Sequence, residues 1–318
     1  MSFNKSKFFL LALVLIISIG LIGCGGQTAA PQEDTQAKPE VEQESTVVAD
    51  AAKAYFANMP ADVYKIGQQD FVDKVKAGED MFILDIRSAD AYGKGHIEGA
   101  VSAPWGTTAI PESLDKLPKD KTIMVYCVTG QTAGQTVALL NIAGFDAKSV
   151  NLGWNLGISK VEGVDAITST EASEYGQQNT LEVNAEIKTA ITEYYQGLAD
   201  VKDTMFANYK ISEDNAKKLL DEEDTSVMFL SVRKAEDFAK GHIEGATNIP
   251  FGKGMEQKFD TLSTDKTIIV YCYTGQTAGQ TVAVLKLLGY DAVSLNSGMG
   301  MESTGEAGWI NKGYPVVQ

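Results

Sequence analysis

Along most of the chain, short apolar runs alternate with segments whose apolar positions recur at helical spacing. Met81 to Ile86, Thr122 to Tyr126, Val227 to Val232 and Thr267 to Tyr271 are short and rich in branched residues, which predicts buried strands. Helices are predicted at Gln69 to Lys76, Ala133 to Ala143, Glu213 to Leu220 and Ala278 to Leu288, with Gly144 and Gly289 placed to stop two of them. Leu181 to Leu198 also reads as helical, and Ser169 to Thr180 before it is polar and loop-like. This alternation favours an α/β fold, a parallel sheet with helices on both faces.

The pattern occurs twice. Gly95-His96-Ile97-Glu98-Gly99-Ala100 returns as Gly241-His242-Ile243-Glu244-Gly245-Ala246, a shift of 242 − 96 = 146. The run from Tyr126 to Ala138 returns from Tyr271 to Ala283, a shift of 272 − 127 = 145, with only Val128 changed, to Tyr273. Such a unit is too long for a solenoid repeat and is a duplicated domain. The chain has 318 residues, 44% of them hydrophobic, enough for one large core or two ordinary ones, and the duplication favours two.

The first fifty residues do not belong to either copy. Lys5 and Lys7 precede the apolar run from Phe8 to Gly23, and Cys24-Gly25-Gly26 follows, the order of an export signal. The run is short for a bilayer span, and Gly20 and Gly23 weaken its end. Leu21-Ile22-Gly23-Cys24 resembles the lipobox of bacterial lipoproteins. That resemblance implies cleavage before Cys24 and lipidation of its thiol, with acyl chains such as palmitate holding the protein to a membrane. The following stretch is rich in Gln, Glu, Pro and Thr and cannot form a core, so it reads as a tether. The expected organisation is a signal peptide at 1–23, a flexible tether at 24–50, domain 1 at 51–168, a linker at 169–186 and domain 2 at 187–318.

Charge narrows the partners. Lys and Arg total 27 against 42 Asp and Glu, so the net charge is 27 − 42 = −15. Bulk charge of that sign disfavours nucleic acid and anionic lipid, so no nucleic-acid partner is expected and the membrane is reached through the lipid alone.

The strongest chemical signal is the segment that each predicted strand runs into. Cys127 and Cys272 directly follow Tyr126 and Tyr271, and the helical pattern resumes six residues after each cysteine. In parallel sheets ligands bind at that edge. A loop with Gly130 or Gly275 at its centre can turn backbone N–H groups towards one point, where the helix dipole adds positive potential. Both effects stabilise a thiolate or a terminal persulfide anion.

A strand, then D-x-R (Asp85 to Arg87; Ser231 to Arg233 in the second copy), G-H-I-x-G-A and a Cys-x-x-Gly-x-Thr loop, in that order and twice, resemble rhodanese domains. The resemblance covers Lys65 to Gly163 and Lys210 to the end, where Gly313 to Val317 is similar to that family's last strand. It implies two tandem rhodanese-like domains and a sulfurtransferase without cofactor, with Cys127 and Cys272 as catalytic residues. Each would take sulfane sulfur from a small donor as a persulfide and pass it to a thiol acceptor. Val128, Thr129, Gly130, Gln131, Thr132 and Ala133 would form one persulfide loop, and Tyr273, Thr274, Gly275, Gln276, Thr277 and Ala278 the other. Asp85, Arg87 and Arg233 would support these loops, with the two arginines pairing local carboxylates, and His96 and His242 are expected to be structural.

Neither loop carries the Arg or Lys that many family members place beside the cysteine, which leaves polysulfides and persulfides as open as thiosulfate. Cys127 keeps Asp85 where the second copy has Ser231, which favours Cys127 as the stronger site. A Cys-x5-Arg phosphatase is disfavoured because Ala133 and Ala278 stand six residues after the cysteines. One Cys and one His per copy fall short of a zinc site, so no metal is expected. A persulfide carrier or sensor that does not turn over, and a Cys127–Cys272 disulfide, remain alternatives.

Overall fold

The computed structural model describes residues 46–318. The expected signal peptide, Cys24 and most of the expected tether lie outside the described residues.

The first half contains helix α1 (Thr46–Ala57), strand β1 (Lys65–Ile66), α2 (Gln68–Lys76), β2 (Phe82–Asp85) and α3 (Ala89–Gly93). It continues with β3 (His96–Ile97), β4 (Val101–Ser102), α4 (Ala109–Ser113), β5 (Ile123–Tyr126), α5 (Gln131–Ile142), β6 (Ala147–Val150) and β7 (Thr168–Ser169). The second half contains α6 (Ala185–Val201), β8 (Lys210–Ile211), α7 (Glu213–Asp221), β9 (Val227–Ser231) and α8 (Ala235–Lys240). After these come β10 (Thr247–Asn248), β11 (Thr267–Tyr271), α9 (Gln276–Leu287) and β12 (Ala292–Leu295).

Each half builds a parallel five-stranded sheet, in the order β1-β6-β5-β2-β4 and, equivalently, β8-β12-β11-β9-β10. The strands that precede the cysteines, β5 and β11, are central in both. Every residue of β2 and β5 is buried, as expected of parallel strands covered on both faces. The four predicted strands and the helices that flank them are present, with ends shifted by at most two residues.

Among the described residues, three apolar clusters form the core. One lies behind each sheet, around Phe71 and Tyr126 in the first half and around Trp309 and Tyr271 in the second. The third is shared and joins Leu84, Val125, Val137 and Leu139 to Leu230, Val270, Val282 and Val284. At its centre α5 and α9 pack on each other. A Cβ on Gly134 would stand 2.3 Å from the Gln276 carbonyl oxygen, and one on Gly279 would stand 2.3 Å from that of Gln131. Glycine at both positions lets the two helix backbones touch.

The leading helix of each half crosses to the other. Tyr55 on α1 donates to Gln280 Oε1 at 2.8 Å, and the Phe56 ring meets Phe251 and Phe259 edge-on at 5.6 and 5.7 Å. Tyr194 on α6 reciprocates, donating to Gln135 Oε1 at 2.5 Å, while Tyr195 packs on Trp105 with centroids 5.1 Å apart. The packing of these two helices interleaves the halves.

Several expectations need correction. Helix α1 starts at Thr46, so the last residues of the expected tether are helical, with Val48, Ala52, Tyr55 and Phe56 forming one buried face. The expected linker is a strap on the first half: Tyr175 stacks on Phe82 at 6.0 Å, and Lys119 N–H donates to the Asn179 carbonyl at 2.9 Å. The helix expected from Leu181 begins at Ala185, because the Asn184 side chain caps it by accepting from the N–H groups of Glu186 and Ile187. Helices α5 and α9 begin four residues after the cysteines, not six. The terminal strand expected at Gly313 to Val317 is a single antiparallel bridge between His242 and Val317. Pro315 lacks the N–H that a longer ladder needs.

Candidate active site

Cys127 and Cys272 sit where the central strand of each sheet gives way to a helix. Both are free thiols, only 3% and 2% exposed, so no disulfide joins them. Gly130, with φ +93°, turns the chain into α5 so that its own N–H points back to Cys127 Sγ at 3.1 Å. Ala133 N–H, in the first turn of α5, reaches the same sulfur at 3.4 Å. Gly275, with φ +90°, repeats the first contact on Cys272 Sγ at 3.1 Å. Donors converging on sulfur at a helix N-terminus favour an anion there.

Apart from Gln131 and Gln276, the remaining loop residues separate into three groups. Val128 and Tyr273 stand at the mouths of the loops; Val128 is 43% exposed, whereas the Tyr273 hydroxyl donates to Asp237 Oδ2 at 2.6 Å. Thr274 and Thr277 line a cavity beside Cys272, while Thr129 and Thr132 hold the equivalent positions beside Cys127. Ala133 and Ala278 are fully buried at the starts of their helices.

Gln131 and Gln276 open the helices that follow the loops. Their side chains do not turn towards the sulfur beside them but reach into the other half. Gln131 Nε2 donates to Ser294 Oγ at 2.7 Å and to the Leu295 carbonyl at 3.1 Å, and Gln276 Nε2 donates to Ser149 Oγ at 2.7 Å.

The expected supporting residues brace the sheet edge. Arg87 Nη2 bonds Asp85 Oδ2 at 2.6 Å and the Gly95 carbonyl at 2.7 Å, and its guanidinium lies 4.2 Å from the centroid of the Trp154 ring. Arg233 keeps the bond to the Gly241 carbonyl at 2.5 Å, but Ser231 offers no carboxylate, and its buried Nε has no partner. Arg87 thus forms an ion pair with its local carboxylate, whereas Arg233 forms none among the described residues, Asp237 acting on it only at longer range. His96 is held by the carbonyls of Tyr92 and Glu171 at 2.9 and 3.0 Å, and His242 Nδ1 by that of Phe238 at 3.0 Å. Both histidines are therefore held by backbone carbonyls, His96 in β3 and His242 at its bridge to Val317. Among the described residues no cluster of three or more His, Cys, Asp or Glu is placed to hold a metal.

The cavity beside Cys272, about 380 Å³, is bordered by residues of both halves: Val63, Lys65, Gln68 and Asn151 from the first, and Lys234, Phe251 and Thr277 from the second. Sequence reasoning about the loops missed Lys65. A signal existed, since Tyr64-Lys65-Ile66 returns as Tyr209-Lys210-Ile211 at the spacing of the cysteines, 210 − 65 = 145.

This architecture, a cysteine loop between central strand and helix in each of two parallel sheets, matches one family. The model of the rhodanese-like domain matches residues 68–159 and 212–301, together more than half of the chain. The chain belongs to the rhodanese-like domain family and carries two such domains in tandem. It is 34% identical over 73 residues to the Thiosulfate sulfurtransferase PspE of Escherichia coli, covering 22% of this chain and 69% of that protein. It is 33% identical over 73 residues to the Probable adenylyltransferase/sulfurtransferase MoeZ of Mycobacterium tuberculosis, covering 23% of this chain and spanning only 19% of that relative. A solved rhodanese-related protein from Thermoplasma volcanium is 27% identical, with 34% of this chain and 96% of that one covered and a TM-score of 0.29.

Proposed function

We propose that the protein is a sulfurtransferase that moves sulfane sulfur from a small donor to a thiol acceptor through persulfides on Cys127 and Cys272. The observation that carries this reading is the pair of backbone N–H groups, of Gly130 and Ala133, aimed at Cys127 Sγ from the start of α5. These donors lower the energy of a thiolate before transfer and of the persulfide anion after it, with no cofactor in the cycle. Membership of the rhodanese-like family and the similarity to PspE support the same chemistry.

The protein works outside the cytoplasmic membrane, held by a lipid on Cys24 to that membrane's outer face or to the periplasmic side of an outer membrane. The charged start, apolar run and small residues around Cys24 support this location. Among the described residues no helix is long and apolar enough to cross a membrane.

Mass measurement after exposure to thiosulfate, polysulfide or mercaptopyruvate tests the chemistry. Gain of one sulfur on each cysteine, abolished singly by Cys127→Ser and Cys272→Ser, with release to cyanide or a thiol over many cycles, is the expected result. Loading without turnover would identify a carrier, and no loading from any donor would refute the reading. For the location, Cys24→Ser is expected to move the protein from the membrane fraction to the soluble one.

A further inference from the structure

The cysteine loops carry no charged side chain, yet the cavity beside Cys272 has a distinct sign. Its charged lining residues are Lys65 and Lys234, and no Asp or Glu borders it, in a chain where acidic residues outnumber basic ones by 42 to 27. Lys65 comes from the half that does not contain Cys272. It lies on β1 in register with Ser149, whose hydroxyl accepts the Gln276 side chain, and Gln276 opens the helix that follows Cys272.

The mirror relation holds around Cys127. Lys210 lies on β8 in register with Ser294, whose hydroxyl accepts the Gln131 side chain, and Gln131 opens the helix that follows Cys127. Both lysines are half-buried, and neither pairs with a carboxylate among the described residues. Burial is the larger influence on Lys65 and lowers its pKa, while attraction to the Cys272 sulfur raises it; burial and the Cys127 sulfur act on Lys210 in the same two senses.

We infer that each cysteine works in a composite site, Lys65 binding the donor for Cys272 and Lys210 binding it for Cys127, so that both sites take an anionic sulfur donor. This rests on the sulfurtransferase reading above. With thiosulfate as the probe, the cysteine thiolate attacks the outer sulfur, an Sγ–S bond forms, and the S–S bond of the donor breaks. The electron pair leaves on sulfite; no proton moves, and the total charge is the same before and after. The ammonium group from the opposite half neutralises the sulfonate oxygens in donor and leaving group alike. A positive group in a partly dehydrated cavity does this more strongly than one in open solvent.

The test compares a neutral and an anionic reagent of the same mechanism on the full chain. Iodoacetamide and iodoacetate alkylate thiolates alike except for charge, and peptide-resolved mass spectrometry reads Cys127 and Cys272 separately. Lys65→Met is expected to lower the iodoacetate-to-iodoacetamide rate ratio at Cys272 by about fivefold and leave Cys127 unchanged. Lys210→Met is expected to do the reverse, and Lys65→Arg or Lys210→Arg to restore the ratio. The same variants should raise the thiosulfate concentration needed to load the opposite cysteine. Ratios unmoved by either substitution, or changed at the cysteine of the same half, overturn the inference. Absence of sulfur loading in the unsubstituted protein would refute sulfur transfer, while the alkylation ratios would still decide the lysines.

Discussion

The Gln131 carboxamide donates to the Ser294 hydroxyl at 2.7 Å, and 145 residues later in the repeat Gln276 does the same to Ser149. Each bond ties the first turn of a cysteine helix to the sheet of the opposite half. The cysteine loops are therefore positioned by the interface between the halves as well as by their own strands.

Gln131→Ala or Gln276→Ala leaves a buried serine hydroxyl without its amide donor. Each is expected to destabilise the protein by about 1–3 kcal/mol, read as a lower urea midpoint. An unchanged midpoint would show that these bonds contribute nothing to the interface.

Gly134→Ala places a methyl group 2.3 Å from the Gln276 carbonyl oxygen, which only separation of α5 from α9 relieves. The expected cost is about 3 kcal/mol or more. Gly93→Ala is the control, since a Cβ there meets nothing within 4 Å, and the better helix propensity of alanine predicts no loss. Equal midpoints for the two variants would contradict the described helix contact.

Asp85→Ser strips Arg87 of its buried carboxylate, and the expected loss is about 3 kcal/mol. Ser231→Asp does the converse, giving the unpartnered Arg233 Nε an acceptor, with an expected gain of about 1–3 kcal/mol. Chemical denaturation of both variants checks the opposite signs. A destabilised Ser231→Asp protein would mean that the second half has no room for the pair.

The Tyr273 hydroxyl, and then Lys240, hold the Asp237 carboxyl below its ordinary range. A depressed carboxylate pKa in the folded state contributes stability above the ordinary Asp pKa, and this is lost as pH falls through the lower folded value. Tyr273→Phe removes the larger cause, so the Asp237 pKa should rise towards its ordinary value in a ¹³C NMR titration. No movement would exclude that hydrogen bond as the cause.

Much of the fold was legible because buried parallel strands are written as continuous apolar runs. Ile123–Tyr126 and Thr267–Tyr271 could be placed this way, and the duplication confirmed each by its counterpart. The two-residue strands Lys65–Ile66 and Lys210–Ile211 were not legible, since two residues carry no periodicity. Helix Thr46–Ala57 was obscured by the polar stretch before it, although Val48, Ala52, Tyr55 and Phe56 already have helical spacing. The cysteines and their turning glycines were legible as a motif, because a strand, a glycine with positive φ and a helix start are local features.

The sequence by itself determined that there are two α/β units, that each presents a cysteine at the end of a strand, and that each glycine can aim an N–H at the sulfur. These follow from local propensity and short-range geometry. Only the tertiary structure decided that α1 and α6 cross between halves, that Gln131 and Gln276 clamp the interface and that Lys65 lines the cavity of Cys272. Contacts of this kind join residues 59 to 225 positions apart, and their partners are set by how two sheets and two helices pack, which no local pattern encodes.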